Sequence, residues 1–256
     1  MITALEGQNV VVLDLETAKS AEDCRHCGQS EATHHQSVWA DACPDQGMTA
    51  TPLLYTKIGW EDKQALGLSI GCYFDYTDDL YHWFDSYTLE ATIRLFVLRQ
   101  SLLVSFNGIG FDFPLMRNLL RQEAAVNQFP KLEGIGRANA EYIYAGELQA
   151  LCDQFKALCT TSYDLLHEIW QVDPVRKFER GLNSLGAISV ANGFGAKKMD
   201  GAKAPQLWRQ GRHAEVLNYN MSDVLKTKQL FEQIVTKGQI LRGDGLPILL
   251  PLPHVS

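Results

Sequence analysis

The chain has no run of 18 or more apolar residues, so nothing in it reads as spanning a bilayer. Met1 to Gln8 offers neither a basic n-region nor an apolar core, so no signal peptide is visible. Cations are outnumbered: 23 Lys and Arg against 30 Asp and Glu give a net charge of −7. That balance argues against a protein that coats duplex DNA by broad electrostatics, and still allows a local basic groove. No internal repeat or low-complexity segment is present, and no clear second domain. Six cysteines without an export signal point to a reducing, cytoplasmic setting and to thiols in place of disulfides. What remains is a hydrophobic content of 46% and a charged content of 21% over 256 residues, ordinary for a single globular domain spanning residues 1–256.

The chain is organised around Val10-Val11-Val12-Leu13-Asp14-Leu15-Glu16-Thr17. A β-branched run predicts a strand from about Asn9 to Glu16. Alternate side chains of a strand share a face, so Asp14 and Glu16 point one way, and Leu13 and Leu15 the other, into a core. Two carboxylates side by side repel each other unless a cation sits between them. Hard oxygen ligands suit Mg²⁺ or Mn²⁺. The plain alternative is a solvent-facing strand end, because Asp-x-Glu alone is common.

A long polar stretch, Thr17 to Lys63, follows as an excursion from the core. It holds Cys24-Arg-His-Cys27-Gly28, His34-His35 and Cys43-Pro44. Structureless loops of this length are uncommon in compact domains. One structural Zn²⁺ on Cys24, Cys27, Cys43 and either His34 or His35 would staple it into a small zinc-binding insertion, 17–63. No second Cys-x2-Cys follows, and a flexible loop of reduced thiols stands as the other reading. The remaining cysteines, Cys72, Cys152 and Cys159, lie in apolar-rich stretches that suit buried, unreactive thiols.

Further along, Ala65 to Asp75 and Leu80 to Asp85 predict a hairpin across Tyr76-Thr-Asp-Asp79. Leu89 to Leu98 has helical spacing, with Thr88 as its cap. Ser101 to Phe106 suits a buried strand that ends in a glycine turn, and Pro114 suits the first turn of the next helix. The middle, Asn127 to Cys159, carries no clear pattern. Thr161 to Leu166 predicts a strand and Leu182 to Val190 a short helix. Phe194 to Pro205 is a loop whose Lys197, Lys198 and Lys203 are either solvated or in touch with phosphates. A helix from about Arg212 to Lys237 is closed by Gly238, with Leu217, Met221, Val224, Phe231 and Ile234 as its core stripe. Tyr219 and Asp223 lie four apart and share a face of it. Ile240 to Ser256 is expected to pack as an extended tail.

Three of these pieces fall in a recognisable order. Asp14-x-Glu16 stands on a first strand, Phe106-Asn107-x3-Phe111-Asp112-x-Pro114-Leu115 follows a later strand, and Tyr219-x3-Asp223-Val224 stands on a late helix. The set resembles the exonuclease motifs of the DEDD superfamily in its tyrosine-bearing branch (DEDDy). The chain is similar to the proofreading exonuclease domain of family-B DNA polymerases and to stand-alone proteins related to it. The likeness runs from about Val10 to Leu230, and Asp164 also has a counterpart there. The excursion 17–63 departs from that pattern.

The resemblance implies an α/β, ribonuclease-H-like fold, a mixed central sheet flanked by helices. It also implies a 3′-to-5′ exonuclease with two Mg²⁺ or Mn²⁺ ions per site. On it, Asp14 bridges both ions, Glu16 and Asp223 hold the ion on the attacking-water side, and Asp112 serves the leaving-group side. Tyr219 orients the nucleophile, and Phe106 and Asn107 touch the terminal nucleotide. The expected partner is a nucleic-acid 3′ end, single-stranded DNA ahead of RNA, and no membrane. The alternatives are an RNA exonuclease, a structure-specific endonuclease of the same fold, and a catalytically silent module that binds nucleic-acid ends.

Overall fold

The computed structural model describes residues 7–25, 56–125, 135–179 and 181–253. The organising strand, β1 (Val10–Thr17), lies at the centre of a five-stranded sheet. On one side it pairs antiparallel with β2 (Leu68–Asp75), which pairs antiparallel with β3 (Leu80–Phe84). On the other it pairs parallel with β4 (Leu102–Ser105), which pairs parallel with β5 (Tyr163–Asp164). The spatial order is therefore β3-β2-β1-β4-β5. This mixed sheet with helices against it is the ribonuclease-H-like arrangement.

Both faces of β1 are covered, and its alternation sorts the helices. Val11, Leu13 and Leu15 pack against Leu89, Ile93 and Phe96, then Phe113, Leu115 and Met116, then Leu148 and Phe155. Val10 and Val12 pack on the opposite face against Val224, Leu230, Phe231 and Ile234. The helices concerned are α2 (Leu89–Leu98), α3 (Asp112–Ala125) and α4 (Ile135–Thr160) on the first face, and α8 (His213–Lys237) on the second. Phe84, Phe96, Phe113, Phe155 and Phe231 are fully enclosed. Each stabilises the fold by about 1.5–3 kcal/mol through apolar burial.

Several boundaries differ from the sequence expectation, each for a local reason. Ala65 and Leu66 belong to a helical turn, α1 (Lys63–Leu66), whose Asp62 side chain caps Ala65 N–H, so β2 starts only at Leu68. Thr88 precedes α2, but its hydroxyl is engaged with Asp85 and caps nothing. The strand expected over Thr161 to Leu166 is only two residues long. Asp164 caps the backbone N–H groups of Leu166 and His167, which turns the chain into α5 (Leu165–Val172). The patternless middle contains the 26-residue α4. The short helix is α6 (Leu185–Ala191), and after it comes α7 (Ala204–Arg209). Gly238 closes α8 in the left-handed conformation at φ 69°. The tail is a hairpin, β6 (Gln239–Leu241) with β7 (Pro247–Leu249), because Asp244-Gly245 supplies a turn with φ 81° at the glycine.

Of the stretch 17–63, the two described ends meet. Cys24 and Lys57 form an antiparallel bridge, Arg25 N donates to Thr56 O at 2.7 Å, and Gly59 N donates to Ala21 O at 2.9 Å. Cys27, His34, His35 and Cys43 lie outside the described residues, so of the ligands expected for zinc only Cys24 is described.

Candidate active site

The acids of β1 continue the row that begins with Val10 and Val12, so they face α8. Beyond Glu16 the register with β2 slips by one residue, and Ser69 Oγ donates to Glu16 O at 2.9 Å. Such a bulge re-aims side chains at a strand end. Across from it, α8 presents Tyr219 and Asp223 one turn apart, both buried. Asp14, Glu16 and Asp223 each bring a carboxylate oxygen within 4.8 Å of the other two.

Asp112 arrives from the other side. Its carboxylate accepts a backbone hydrogen bond from Leu15, the residue between the two acids of β1, and one from its own N–H. The turn that delivers it is tightly determined. Asn107 is left-handed at φ 74°, and a Cβ on Gly108 would lie 2.3 Å from Ser105 Oγ, so only glycine fits. Asp164 clamps this turn while capping α5: its two oxygens accept from Asn107 N at 2.9 Å and Ile109 N at 2.8 Å. Asp164 thus positions the loop. Phe106 leans on the core cluster under α8.

The electrostatics follow from crowding. Burial raises the Asp14 pKa well above the usual carboxylate range, and Asp112, Asp223 and Glu16 raise it further. Glu16 is raised by burial and by Asp223. Asp112 is pushed up to about 7 by burial and by Asp164, against the pull of its backbone hydrogen bonds.

Two residues that the motifs do not include complete the cluster. Lys197 Nζ lies 2.6 Å from Asp223 Oδ2 and 3.1 Å from the Tyr219 hydroxyl. Burial works against its charge, but Asp223 and Asp14 outweigh that and raise its pKa. The loop lysine expected in solvent or on phosphate is turned inward. Nothing local in the sequence separates it from Lys198. Asn220, fully buried, donates from Nδ2 to Asp14 Oδ2 at 2.7 Å. The signal for it was a polar residue inside Tyr219-x3-Asp223 on an otherwise core-facing side.

The donor set fits divalent cations. Four carboxylates and one ammonium leave three negative charges uncompensated when all are ionised. The buried Asp223 Oδ1 has no hydrogen-bond partner in the protein. An all-oxygen cluster of this kind is hard-cation chemistry.

An acidic, cation-ready cluster thus lies at the end of the central strand of a ribonuclease-H-like sheet. The chain belongs to a family described as predicted 3′-5′ exonucleases related to the exonuclease domain of PolB, which matches residues 88–243, more than half of its length. No curated protein and no solved structure gives a significant match. The family match includes Asp112, Lys197, Tyr219 and Asp223 but begins after β1. Asp14 and Glu16 join them through the fold. Among the described residues no helix is long and apolar enough to cross a membrane.

Proposed function

We propose that the protein is a two-metal-ion 3′-to-5′ exonuclease acting on single-stranded DNA. The observation that carries this reading is the meeting of Asp14, Glu16 and Asp223 within 4.8 Å, with Asp112 near enough to raise the Asp14 pKa and Tyr219 joined to Asp223 through Lys197. Asp14, Glu16 and Asp223 would hold one ion, and Asp14 with Asp112 the other. Divalent ions held there would supply an acidified attacking water and charge neutralisation at the leaving 3′-oxygen. The chain's own groups do the rest. Tyr219 is kept neutral, its pKa raised by burial and by Asp223. Its oxygen accepts from Lys197, which leaves the phenolic O–H to donate to the nucleophile and set its line of approach. Lys197 adds positive charge beside the phosphodiester as it becomes more negative.

The test is purified protein with 5′-labelled single-stranded and duplex DNA and RNA, in Mg²⁺ or Mn²⁺. A ladder shortening from the 3′ end, fastest on single-stranded DNA and abolished in Asp14→Ala, is expected. Wild-type cleavage by Asp14→Ala would overturn the site assignment, and internal cuts would favour the endonuclease reading. The zinc reading belongs to the same proposal. Its support is Cys24, buried and pinned by its backbone bridge to Lys57. Metal analysis of freshly purified protein should find about one zinc per chain, lost in Cys24→Ser.

A further inference from the structure

Trp60 stands on the surface with 56% of its area exposed, yet its backbone is fixed. Ile58 N donates to Asp23 O at 3.0 Å and Gly59 N to Ala21 O at 2.9 Å on one side of it. On the other, the Asp62 carboxylate caps α1 and pairs with Arg25 at 3.1 Å. A fixed indole with an open face is a ready platform for a planar partner.

Its neighbours say what would stack. The ring of Phe111 meets Trp60 edge-on, with centroids 6.0 Å apart and planes at 66°. Lys63 Nζ lies 4.9 Å from the Phe111 centroid and donates to Trp60 O at 2.5 Å, which leaves two ammonium protons for an anion. An open cleft of about 480 Å³ adjoins α1, lined by Lys19 and by the Arg25–Asp62 pair.

The position ties this group to the acids twice. Phe111 is the residue before Asp112. Leu66, at the end of α1, accepts from Lys19 N at 2.9 Å, two residues past Thr17 at the end of β1. We infer that Trp60 and Lys63 form a subsite for single-stranded nucleic acid, in which Trp60 stacks on the unpaired base beside the scissile phosphodiester and Lys63 pairs with the adjoining phosphate. Aromatic stacking plus backbone cations is how single strands are held without sequence preference. The assignment rests on the exonuclease reading for which phosphodiester is scissile, and on the surface geometry for the rest.

The test compares wild type, Trp60→Ala, Trp60→Phe and Lys63→Ala on a thymidine oligonucleotide and on the same oligonucleotide with its last two residues abasic. Trp60→Ala should raise KM about tenfold on the normal strand with kcat nearly unchanged, in the range for losing one stacked base. On the abasic strand it should have no effect, because the base it stacks on is already gone. Trp60→Phe should recover most of the loss, and Lys63→Ala should raise KM on both strands and flatten its salt dependence. An unchanged KM in Trp60→Ala, or an equal loss on both strands, would overturn the subsite and leave the exonuclease reading intact. If wild type shortens neither strand, that reading fails, and binding decides the subsite alone. Oligothymidylate should quench the tryptophan fluorescence of wild type and lose most of that quench in Trp60→Phe. Equal quenching in both would overturn it.

Discussion

Asn220 donates to Asp14 Oδ2 at 2.7 Å, across 206 residues of sequence. The bond orients the acid expected to touch both ions, from a helix that packs on Val10 and Val12. Asn220→Ala frees Asp14 without changing the charge of the site. A lost hydrogen bond to a charged group is worth about 1.5–3 kcal/mol, so kcat/KM should fall roughly ten- to a hundredfold. The Mn²⁺ concentration for half-maximal rate should rise. A metal titration identical to wild type would remove Asn220 from any part in positioning Asp14.

The raised carboxylates make a stability prediction for protein stripped of divalent ions. Asp14, Glu16 and Asp112 bind protons more tightly in the folded state than in the unfolded chain. Between the ordinary carboxylate pKa near 4 and the folded value of about 7 for Asp112, the native state therefore holds more protons, and stability falls as pH rises. Thermal melts in chelator should drop by on the order of 5 °C across that window. Mg²⁺ should restore the loss, and Asp112→Asn should flatten the slope. A melt that rises with pH in chelator would contradict the crowding of these acids.

The residues explain why some of this was legible in sequence and some was not. Asp14 and Glu16 share a face because strand alternation is local, and Tyr219 and Asp223 share one because helix periodicity is local. The chain also signals the end of α8 at Gly238 by residue type. Lys197 is different. Its inward turn is set by Asp223 on another element, and by Gly186, where an added Cβ would come within 3.3 Å of the lysine chain. The sequence predicts a longer strand where β5 has two residues, because Tyr163-Asp164-Leu165-Leu166 is apolar enough for either state. The cap that decides it is also the clamp on Asn107 and Ile109, a tertiary contact. Helix α4 lacked a clear pattern from sequence alone, although its later half packs Leu148, Leu151 and Phe155 into the core.

Lys197 supplies positive charge inside the cluster, and this sets the effect of removing it. Lys197→Met keeps the aliphatic stem and deletes the ammonium beside Asp223 and Tyr219. The pair is partly open to solvent, so the stability loss in chelator should be about 1–2 kcal/mol, below that of a fully buried pair. Saturating Mg²⁺ should shrink that loss by supplying another cation. Activity should stay low with metal present, because the charge beside the phosphodiester is not replaced. Denaturant unfolding with and without Mg²⁺ checks the first part, and single-turnover cleavage the second.

Tyr219 and Asp223 occupy one face of α8 and share Lys197, yet their substitutions should separate. The phenol carries no charge near neutral pH, so Tyr219→Phe removes one hydroxyl and leaves the ring packed beside Gly201. Folding and metal affinity should stay close to wild type, while single-turnover cleavage slows by roughly a hundredfold, the range for losing a positioned donor. Asp223→Asn keeps the shape and deletes a charge from the oxygens it shares with Asp14 and Glu16. It should raise the metal requirement as well as lower the rate, and higher Mn²⁺ should recover part of the activity. Crossing the two variants with a metal titration gives the decision. Recovery by Mn²⁺ in Asp223→Asn alone assigns the carboxylate to the ions and the phenol to the nucleophile. Wild-type cleavage by Tyr219→Phe at every metal concentration would make Tyr219 a core aromatic and take the protein out of the tyrosine-bearing branch.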